Sequence, residues 1–159
     1  MPELLICWHS RTGASEQLAK AAAEGAGPVG RLIRAADAQP GMFLDASGYL
    51  FVCPENLASM SGEMKEMFDR CYYPLLGKVE GRGYASLIAA GSDGTGAQRQ
   101  LDRITTGWRL RRVAESIIVK FDAQTPETIL APKYVSALDL KKANELGEAM
   151  ASGLEMGVF

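Results

Sequence analysis

The chain has 159 residues, of which 47% are hydrophobic and 23% are charged, and its formal net charge is −2. These values predict an ordinary globular protein, and we expect residues 1–159 to form one domain. The near-neutral charge argues against general nucleic-acid binding, which favours a strongly basic face. No apolar run approaches the ~20 residues that a membrane-spanning helix requires, so we expect no membrane span.

The chain contains three widely spaced cysteines and no C-x-x-C pair; the cysteines are Cys7, Cys53 and Cys71. An odd number at this spacing argues against a disulfide scaffold and against a zinc site, so we expect buried free thiols and no bound metal. The N-terminus, Met1-Pro2-Glu3, lacks the positive charge and the long apolar segment of a secretory signal. Together these features predict a cytoplasmic protein.

Short apolar runs alternate with helical patterns along the chain. Strands are predicted at residues 4–8, 49–53, 85–90 and 117–121, with a weaker amphipathic edge strand at 29–34. Stripes at helical spacing are Leu18, Ala22 and Ala26; Met60, Met64, Met67, Phe68 and Cys71; Leu101, Ile104, Trp108 and Arg111; and Leu138, Ala143, Leu146 and Met150. This alternation predicts right-handed crossovers and an α/β fold, a three-layer, doubly wound parallel sheet of five strands.

Ligands in such a sheet bind beyond the carboxyl ends of the strands, so the segments that follow strands are informative. After the first strand the chain reads Ser10, Arg11, Thr12, Gly13, Ala14 and Ser15. A helix that starts here leaves backbone N–H groups unpaired beside a partial positive charge, and three hydroxyls are available to a phosphate. Arg11 either adds charge or points into solvent. The alternative is that Thr12 or Ser15 only caps the helix.

Two segments carry a resemblance to a known family. The sequence S-R-T-G-A-S at 10–15 resembles the phosphate loop of the flavodoxin-like flavoproteins, which holds the phosphate of FMN. The sequence PENLASMSGEMKEMFDR at 54–70 resembles the loop and helix of the NAD(P)H-dependent FMN reductase and quinone reductase branch of that superfamily. The resemblance implies a flavodoxin-like sheet with strand order 2-1-3-4-5 and FMN as the cofactor.

The resemblance also implies which residues hold the flavin ring. The second loop would line the isoalloxazine with backbone N–H groups near Ser59–Gly62 facing its polar edges; it comprises Pro54, Glu55, Asn56, Leu57, Ala58, Ser59, Met60, Ser61 and Gly62. The third loop would lie on the pyrimidine side, through Gly91, Ser92, Asp93, Gly94 and Gly96. A plain turn capped by Thr95 is the alternative for this third loop.

The function implied is transfer of a hydride from NAD(P)H through FMN to a quinone, a flavin or a similar small-molecule electron acceptor. The alternative is a flavodoxin-type electron carrier without direct NAD(P)H activity. Such carriers are typically very acidic and sandwich the flavin between aromatic side chains, whereas this chain is near neutral and its second loop offers Leu57 and Met60. Related reductases often pair subunits over the flavin, so the resemblance implies a homodimer.

No catalytic side chain is expected, because the cofactor itself accepts the hydride. The single histidine, His9, adjoins the first loop, and we expect it to pack there or to form a loop hydrogen bond. A basic patch near the end of the third helix contains Arg109, Arg111 and Arg112. It would either contact a nicotinamide-nucleotide phosphate or compensate the helix dipole.

Overall fold

Parallel strands form the centre of the molecule in a computed structural model that describes residues 1–159. The strands are β1 (Leu4–Trp8), β2 (Gly30–Arg34), β3 (Gly48–Asn56), β4 (Ser59–Met60), β5 (Gly83–Ala90), β6 (Arg111–Arg112) and β7 (Ile117–Lys120). The helices are α1 (Ala14–Ala26), α2 (Pro40–Asp45), α3 (Gly62–Leu75), α4 (Thr95–Gly107), α5 (Pro126–Leu130) and α6 (Ala137–Glu155), with short 3-10 turns at Gly27–Val29 and Ala35–Asp37.

The sheet order is β2-β1-β3-β5, and the position beyond β5 is shared by β6 and β7. Counting β6 and β7 as one interrupted fifth strand gives the order 2-1-3-4-5, so the predicted doubly wound fold is confirmed. The interruption was not predicted. Neither was β4, which runs antiparallel to the end of β3 and forms a hairpin with it.

Both faces of the sheet are covered by helices. On one face α1 and α6 pack against alternate strand residues that include Leu4, Ile6 and Leu50. On the other face α2, α3 and α4 enclose an aromatic cluster that includes Phe43, Phe51 and Trp108. The central strands β1, β3 and β5 are almost wholly buried, whereas β2 is half exposed and lies at the edge, as predicted.

All three cysteines are buried free thiols, which confirms the prediction for them. They belong to the same core, between the sheet and α3. Burial raises the pKa of Cys53 to about 12 and raises the pKa of Cys7 as well, so both thiols stay protonated at neutral pH. They therefore serve in packing.

Helices α1 and α6 approach so closely that their backbones touch. A Cβ atom added to Gly147 would lie 1.9 Å from the carbonyl oxygen of Ala22, and one added to Gly25 would lie 2.0 Å from that of Asn144. Ala22 of the stripe predicted on α1 thus lies at a contact with α6 that requires glycine at position 147. This contact fixes the helix whose first turn borders the first loop.

Three sequence-based assignments are wrong in detail. Leu138 is 63% exposed, whereas the other three residues of its predicted stripe, Ala143, Leu146 and Met150, are buried. Met60 lies in β4, because α3 starts only at Gly62. Arg111 lies in β6 rather than on α4, because the chain reverses after Gly107 through a left-handed Arg109 with φ 62°.

The basic patch consequently lies far from the loops that follow the strands. Arg111 and Arg112 pair with Gly83 and Tyr84 at the amino end of β5, whereas the loops extend from carboxyl ends. Arg112 forms ion pairs with Asp102 at 3.5 Å and Glu115 at 3.9 Å. This position does not suit the contact with a nicotinamide-nucleotide phosphate that was one of the two roles expected for the patch.

No helix of the chain combines the length and apolarity needed to cross a membrane.

Candidate functional site

A cavity of about 340 Å³ opens beyond the carboxyl ends of β1, β3 and β5, where the three predicted loops converge. It is lined by Ser10, Arg11, Thr12, Ala14 and Ser15 of the first loop; by Pro54, Glu55, Asn56, Leu57 and Ala58 of the second; by Ala89, Ala90, Gly91 and Ser92 around the third; and by Phe121, Ala123, Ile129 and Lys133. No group of His, Cys, Asp or Glu side chains is arranged to hold a metal ion.

The first loop presents unpaired hydrogen-bond donors to this cavity. Gly13 adopts φ 102° as the N-cap of α1, and its N–H donates to Ser10 Oγ at 3.0 Å. The N–H groups of Ala14 and Ser15 have no intrahelical partner, because they belong to the first turn of α1. The Ser15 hydroxyl is also unpaired, although the residue is only 1% exposed.

This donor set fits a ligand that accepts several hydrogen bonds and carries negative charge. A buried hydroxyl without a partner is rare in proteins and indicates a missing acceptor. The N-terminus of α1 adds a partial positive charge at the same place. No side chain caps α1, so the alternative in which Thr12 or Ser15 serves only as a helix cap is wrong.

Residues 121–135, which we call the strap, cover the first loop and were not predicted as part of the site. The Lys133 N–H donates to the Thr12 carbonyl at 2.8 Å. Gln17 Nε2 donates to the Lys133 carbonyl at 2.7 Å, and the Val135 N–H donates to Gln17 Oε1 at 2.9 Å. The Lys133 ammonium donates to the last carbonyls of α5, including that of Thr128 at 2.6 Å. The strap is therefore fastened to the first loop at Thr12 and to α1 at Gln17.

The second loop is the β3–β4 hairpin, and only its first half reaches the cavity. Ser59, Met60, Ser61 and Gly62 lie outside the lining. The Met60 N–H and the Ser59 hydroxyl both donate to Gln100 Oε1, at 2.7 and 2.6 Å. The Ser61 N–H donates to the Pro54 carbonyl at 3.2 Å. Two of the N–H groups that we expected to face a flavin ring are thus already paired within the protein.

Glu55 joins the second loop to the third. Its carboxylate accepts hydrogen bonds from the Gly94 N–H at 2.8 Å and the Ala97 N–H at 3.1 Å, so it caps the N-terminus of α4 from outside the helix. A Cβ atom added to Gly96 would lie 2.2 Å from the Ala58 carbonyl oxygen, so the hairpin rests directly on the first turn of α4. The wall formed by the hairpin is held in place by these contacts.

The third loop contributes Gly91 and Ser92 to the lining, whereas Asp93, Gly94 and Gly96 lie outside it. The Asp93 carboxylate accepts a hydrogen bond from the Thr95 hydroxyl at 2.9 Å, and this bond lowers the pKa of Asp93. The Gly91 carbonyl accepts from the Ala123 N–H at 3.0 Å. Glu55 takes the capping role that the alternative reading gave to Thr95.

His9 forms a loop hydrogen bond, as predicted. Its Nδ1 lies 2.8 Å from Ser61 Oγ, and its Nε2 lies 3.3 Å from Glu63 Oε2. A serine, a histidine and a carboxylate in contact suggest a hydrolytic triad, but Ser61 has no exposed surface and no substrate can reach it. The cluster is a connection between loops.

The hairpin turn carries backbone strain, which leads to a stability prediction. Leu57 and Ala58 are the two turn residues, and both adopt left-handed conformations, with φ 53° and φ 60°. Such turns favour Asn-Gly. Replacing Leu57-Ala58 by Asn-Gly is therefore expected to raise the free energy of unfolding by about 1 kcal/mol, because each left-handed residue of the present pair costs roughly 1–2 kcal/mol.

The free energy of unfolding is measured in urea without added flavin, since a bound ligand would add stability of its own. Leu57→Ala serves as the control. The Leu57 side chain is fully exposed, so its removal leaves the turn conformation and the stability nearly unchanged. An Asn-Gly variant that is no more stable than this control would show that the left-handed turn does not destabilise the protein.

The comparisons with known proteins agree with this architecture. The profile of a family described as NADPH-dependent FMN reductase matches residues 41–124, just over half of the chain and including the second and third loops. Among curated protein sequences, none matches this chain significantly.

Solved structures show the same fold at low sequence identity. A flavodoxin from the domain Archaea is 14% identical over 96% of this chain and 99% of its own, with a TM-score of 0.77. A flavodoxin, WrbA-like protein from Agrobacterium tumefaciens is 16% identical over 98% and 99%, with a TM-score of 0.71. Rubredoxin oxygen:oxidoreductase from Desulfovibrio gigas is 13% identical over 98% of this chain and 37% of its own, with a TM-score of 0.76.

These likenesses establish the flavodoxin-like fold, and the profile match establishes the family. The match covers the hairpin, Glu55 and the start of α4, which together form one wall of the cavity. The chain belongs to the NADPH-dependent FMN reductase family.

Proposed function

We propose that the protein binds FMN in the cavity and uses NAD(P)H to reduce a quinone, a flavin or a similar small-molecule acceptor. The observation that carries the proposal is the unpaired, buried Ser15 hydroxyl beside the unpaired N–H groups of α1. These donors are free to bind an anion at one end of the cavity, and the other walls of the cavity are largely apolar. A phosphate attached to a flat organic ring system matches both parts.

The residues divide between the two ends of the cofactor. The hydroxyls of Ser10, Thr12 and Ser15, with the first N–H groups of α1, would hold the phosphate. The ring would lie against the first half of the hairpin and the third loop, contributed by Pro54, Glu55, Asn56, Leu57, Ala58, Gly91 and Ser92. Arg11 lines the same cavity and supplies positive charge near the phosphate end.

The chemistry comes from FMN, which accepts and donates electron pairs when bound. The protein's part is to bind the phosphate, to orient the ring and to leave one side open to a donor and an acceptor. The hairpin meets the orientation requirement because Glu55 and Gln100 fasten it to α4. No side chain in the lining needs to act as a general acid or base.

The alternative is a flavodoxin-type carrier, and its support is the likeness to flavodoxin structures. The composition of the wall favours the reductase instead. Phe121 is the only aromatic residue in the lining, and the hairpin tip offers the fully exposed Leu57. A ring without aromatic cover on both sides suits an enzyme that must admit a nicotinamide and then an acceptor.

An anaerobic reduction experiment separates these functions. The purified protein is loaded with FMN, freed of unbound flavin and mixed with NADPH or NADH while the visible flavin absorbance is followed. We expect bound FMN and rapid bleaching, faster than for free FMN under the same conditions. Bound FMN that dithionite reduces but NAD(P)H does not would identify a carrier, and failure to bind FMN would exclude both functions.

The remaining expectations stay predictions. The homodimer implied by the family resemblance would be measured by sedimentation equilibrium of the FMN-loaded protein. A cytoplasmic location and the absence of nucleic-acid binding remain expectations from the composition.

A further inference from the structure

His9 connects two parts of the candidate site that are far apart in sequence. It directly precedes the first loop, and its backbone N–H donates to the Val52 carbonyl at 3.0 Å, which fixes it to β3. Its imidazole contacts the hydroxyl of Ser61, where the hairpin ends and α3 begins. The His9 side chain is only 15% exposed. The imidazole is therefore a largely buried bridge between the first loop and the second.

The partners of the imidazole determine where its proton lies. Glu63 offers a carboxylate 3.3 Å from Nε2, and an ionised carboxylate can only accept hydrogen bonds. The neutral imidazole therefore carries its hydrogen on Nε2, and Nδ1 accepts the hydrogen of the Ser61 hydroxyl at 2.8 Å. That hydroxyl has no other partner. A doubly protonated ring would leave the buried Ser61 hydroxyl without an acceptor.

We propose that His9 is a positioning residue that couples the phosphate side of the site to its ring side through the Nδ1–Ser61 hydrogen bond. The inference rests on the proposed function, since it assigns the two sides to the two ends of FMN. Ser61 is bound in turn to the Pro54 carbonyl, at the start of the hairpin that forms the ring wall. A small shift of the first loop on binding phosphate would thus pass through His9 and Ser61 to the start of the hairpin, and the converse would hold.

Two fragments of FMN test the coupling, namely inorganic phosphate and riboflavin. The dissociation constant of riboflavin is measured by fluorescence quenching with and without saturating phosphate. We expect phosphate to tighten riboflavin binding about 5-fold in the wild-type protein, at the lower end of typical couplings between sites. In Ser61→Ala the factor is expected to fall to about 1, because the bridging hydrogen bond is gone.

Two further variants complete the design. His9→Phe keeps a ring of similar size but has no nitrogen to accept from Ser61, so it should abolish the coupling. The double variant should be no worse than either single one, because both changes remove the same bond. Glu63→Gln is the matched control. A glutamine carbonyl still accepts from Nε2–H, so the Ser61 bond and the coupling should remain. Circular dichroism and thermal unfolding establish that each variant is folded.

A pH profile distinguishes a hydrogen-bond bridge from simple packing. The charged groups that face His9 are Glu63 on α3, Arg34 on β2 and Arg11 in the first loop. Burial, the largest influence, lowers the pKa of His9 from its ordinary value of 6.5; Glu63 opposes this shift, and the two arginines reinforce it. The wild-type coupling should therefore persist at neutral pH and disappear as the pH falls through this lowered pKa. The ratio of the wild-type coupling to that of His9→Phe at each pH cancels the ionisation of phosphate itself.

Because His9 is the only histidine, its ring gives a single set of NMR signals, which report the tautomer without any mutation. A hydrogen on Nδ1 would overturn the inference, as would a coupling that survives in Ser61→Ala or is absent from the wild-type protein. In those cases phosphate and riboflavin still bind, and the proposed function stands. If neither fragment binds, the proposed function fails as well.

Discussion

The Thr12→Asp protein is expected to bind FMN about 100-fold more weakly than the wild-type protein and to bind riboflavin with unchanged affinity. The first loop would then hold a carboxylate where the phosphate must lie. Two unit charges ~4 Å apart repel by about 4 kcal/mol at an effective dielectric constant of ~20, which covers the ~3 kcal/mol that a 100-fold loss requires. The Thr12 carbonyl is bonded to the Lys133 N–H, which holds the loop backbone in place at this residue.

Thr12→Asn is the matched control, because asparagine has nearly the shape of aspartate without its charge. Its FMN affinity should stay within a few-fold of the wild-type value. Both variants are titrated with FMN and with riboflavin at low and high salt, and the Asp effect should shrink as salt screens the repulsion. Equal losses for FMN and riboflavin, or no loss for FMN, would show that the phosphate does not lie in the first loop.

The fold was predictable from sequence where burial is complete. The runs at 4–8, 49–53 and 85–90 are apolar at nearly every position, because helices cover both faces of the central strands. The short pairings were not predictable. β4 and β6 contain two residues each, and their existence depends on which strand lies beside them rather than on their own composition.

The candidate site was likewise predictable only where its residues are contiguous in sequence. The first loop was recognisable because its hydroxyls, its glycine and the start of α1 are contiguous in sequence. The strap was not predicted, because its attachment joins Gln17 to Lys133. These residues are far apart in sequence, and no local pattern indicates that they are in contact. The N–H groups near Ser59–Gly62 were assigned to the ring because nothing in the hairpin sequence reveals that Gln100 of α4 would accept one of them.

The Gly96→Ala protein is expected to lose about 2–3 kcal/mol of unfolding free energy and to bind both FMN and riboflavin at least 10-fold more weakly. The added Cβ would lie 2.2 Å from the Ala58 carbonyl oxygen and 3.3 Å from Glu55 Oε2, so the hairpin must move away from α4. Movement also disturbs the Glu55 carboxylate that caps α4. Loss of both ligands is the signature of a displaced ring wall, in contrast to Thr12→Asp, which spares riboflavin.

Gly62→Ala is the control, because a Cβ atom added there meets nothing within 4 Å and the residue starts α3. It should keep its flavin affinity and gain up to ~1 kcal/mol, since alanine restricts the unfolded chain. Stability is measured by urea unfolding of the flavin-free proteins and affinity by fluorescence quenching. Wild-type stability and binding in Gly96→Ala would mean that the hairpin is not held against α4. Weakened binding in Gly62→Ala would indicate that the end of the second loop contacts the flavin, because a methyl group that meets no protein atom could weaken binding only through such a contact.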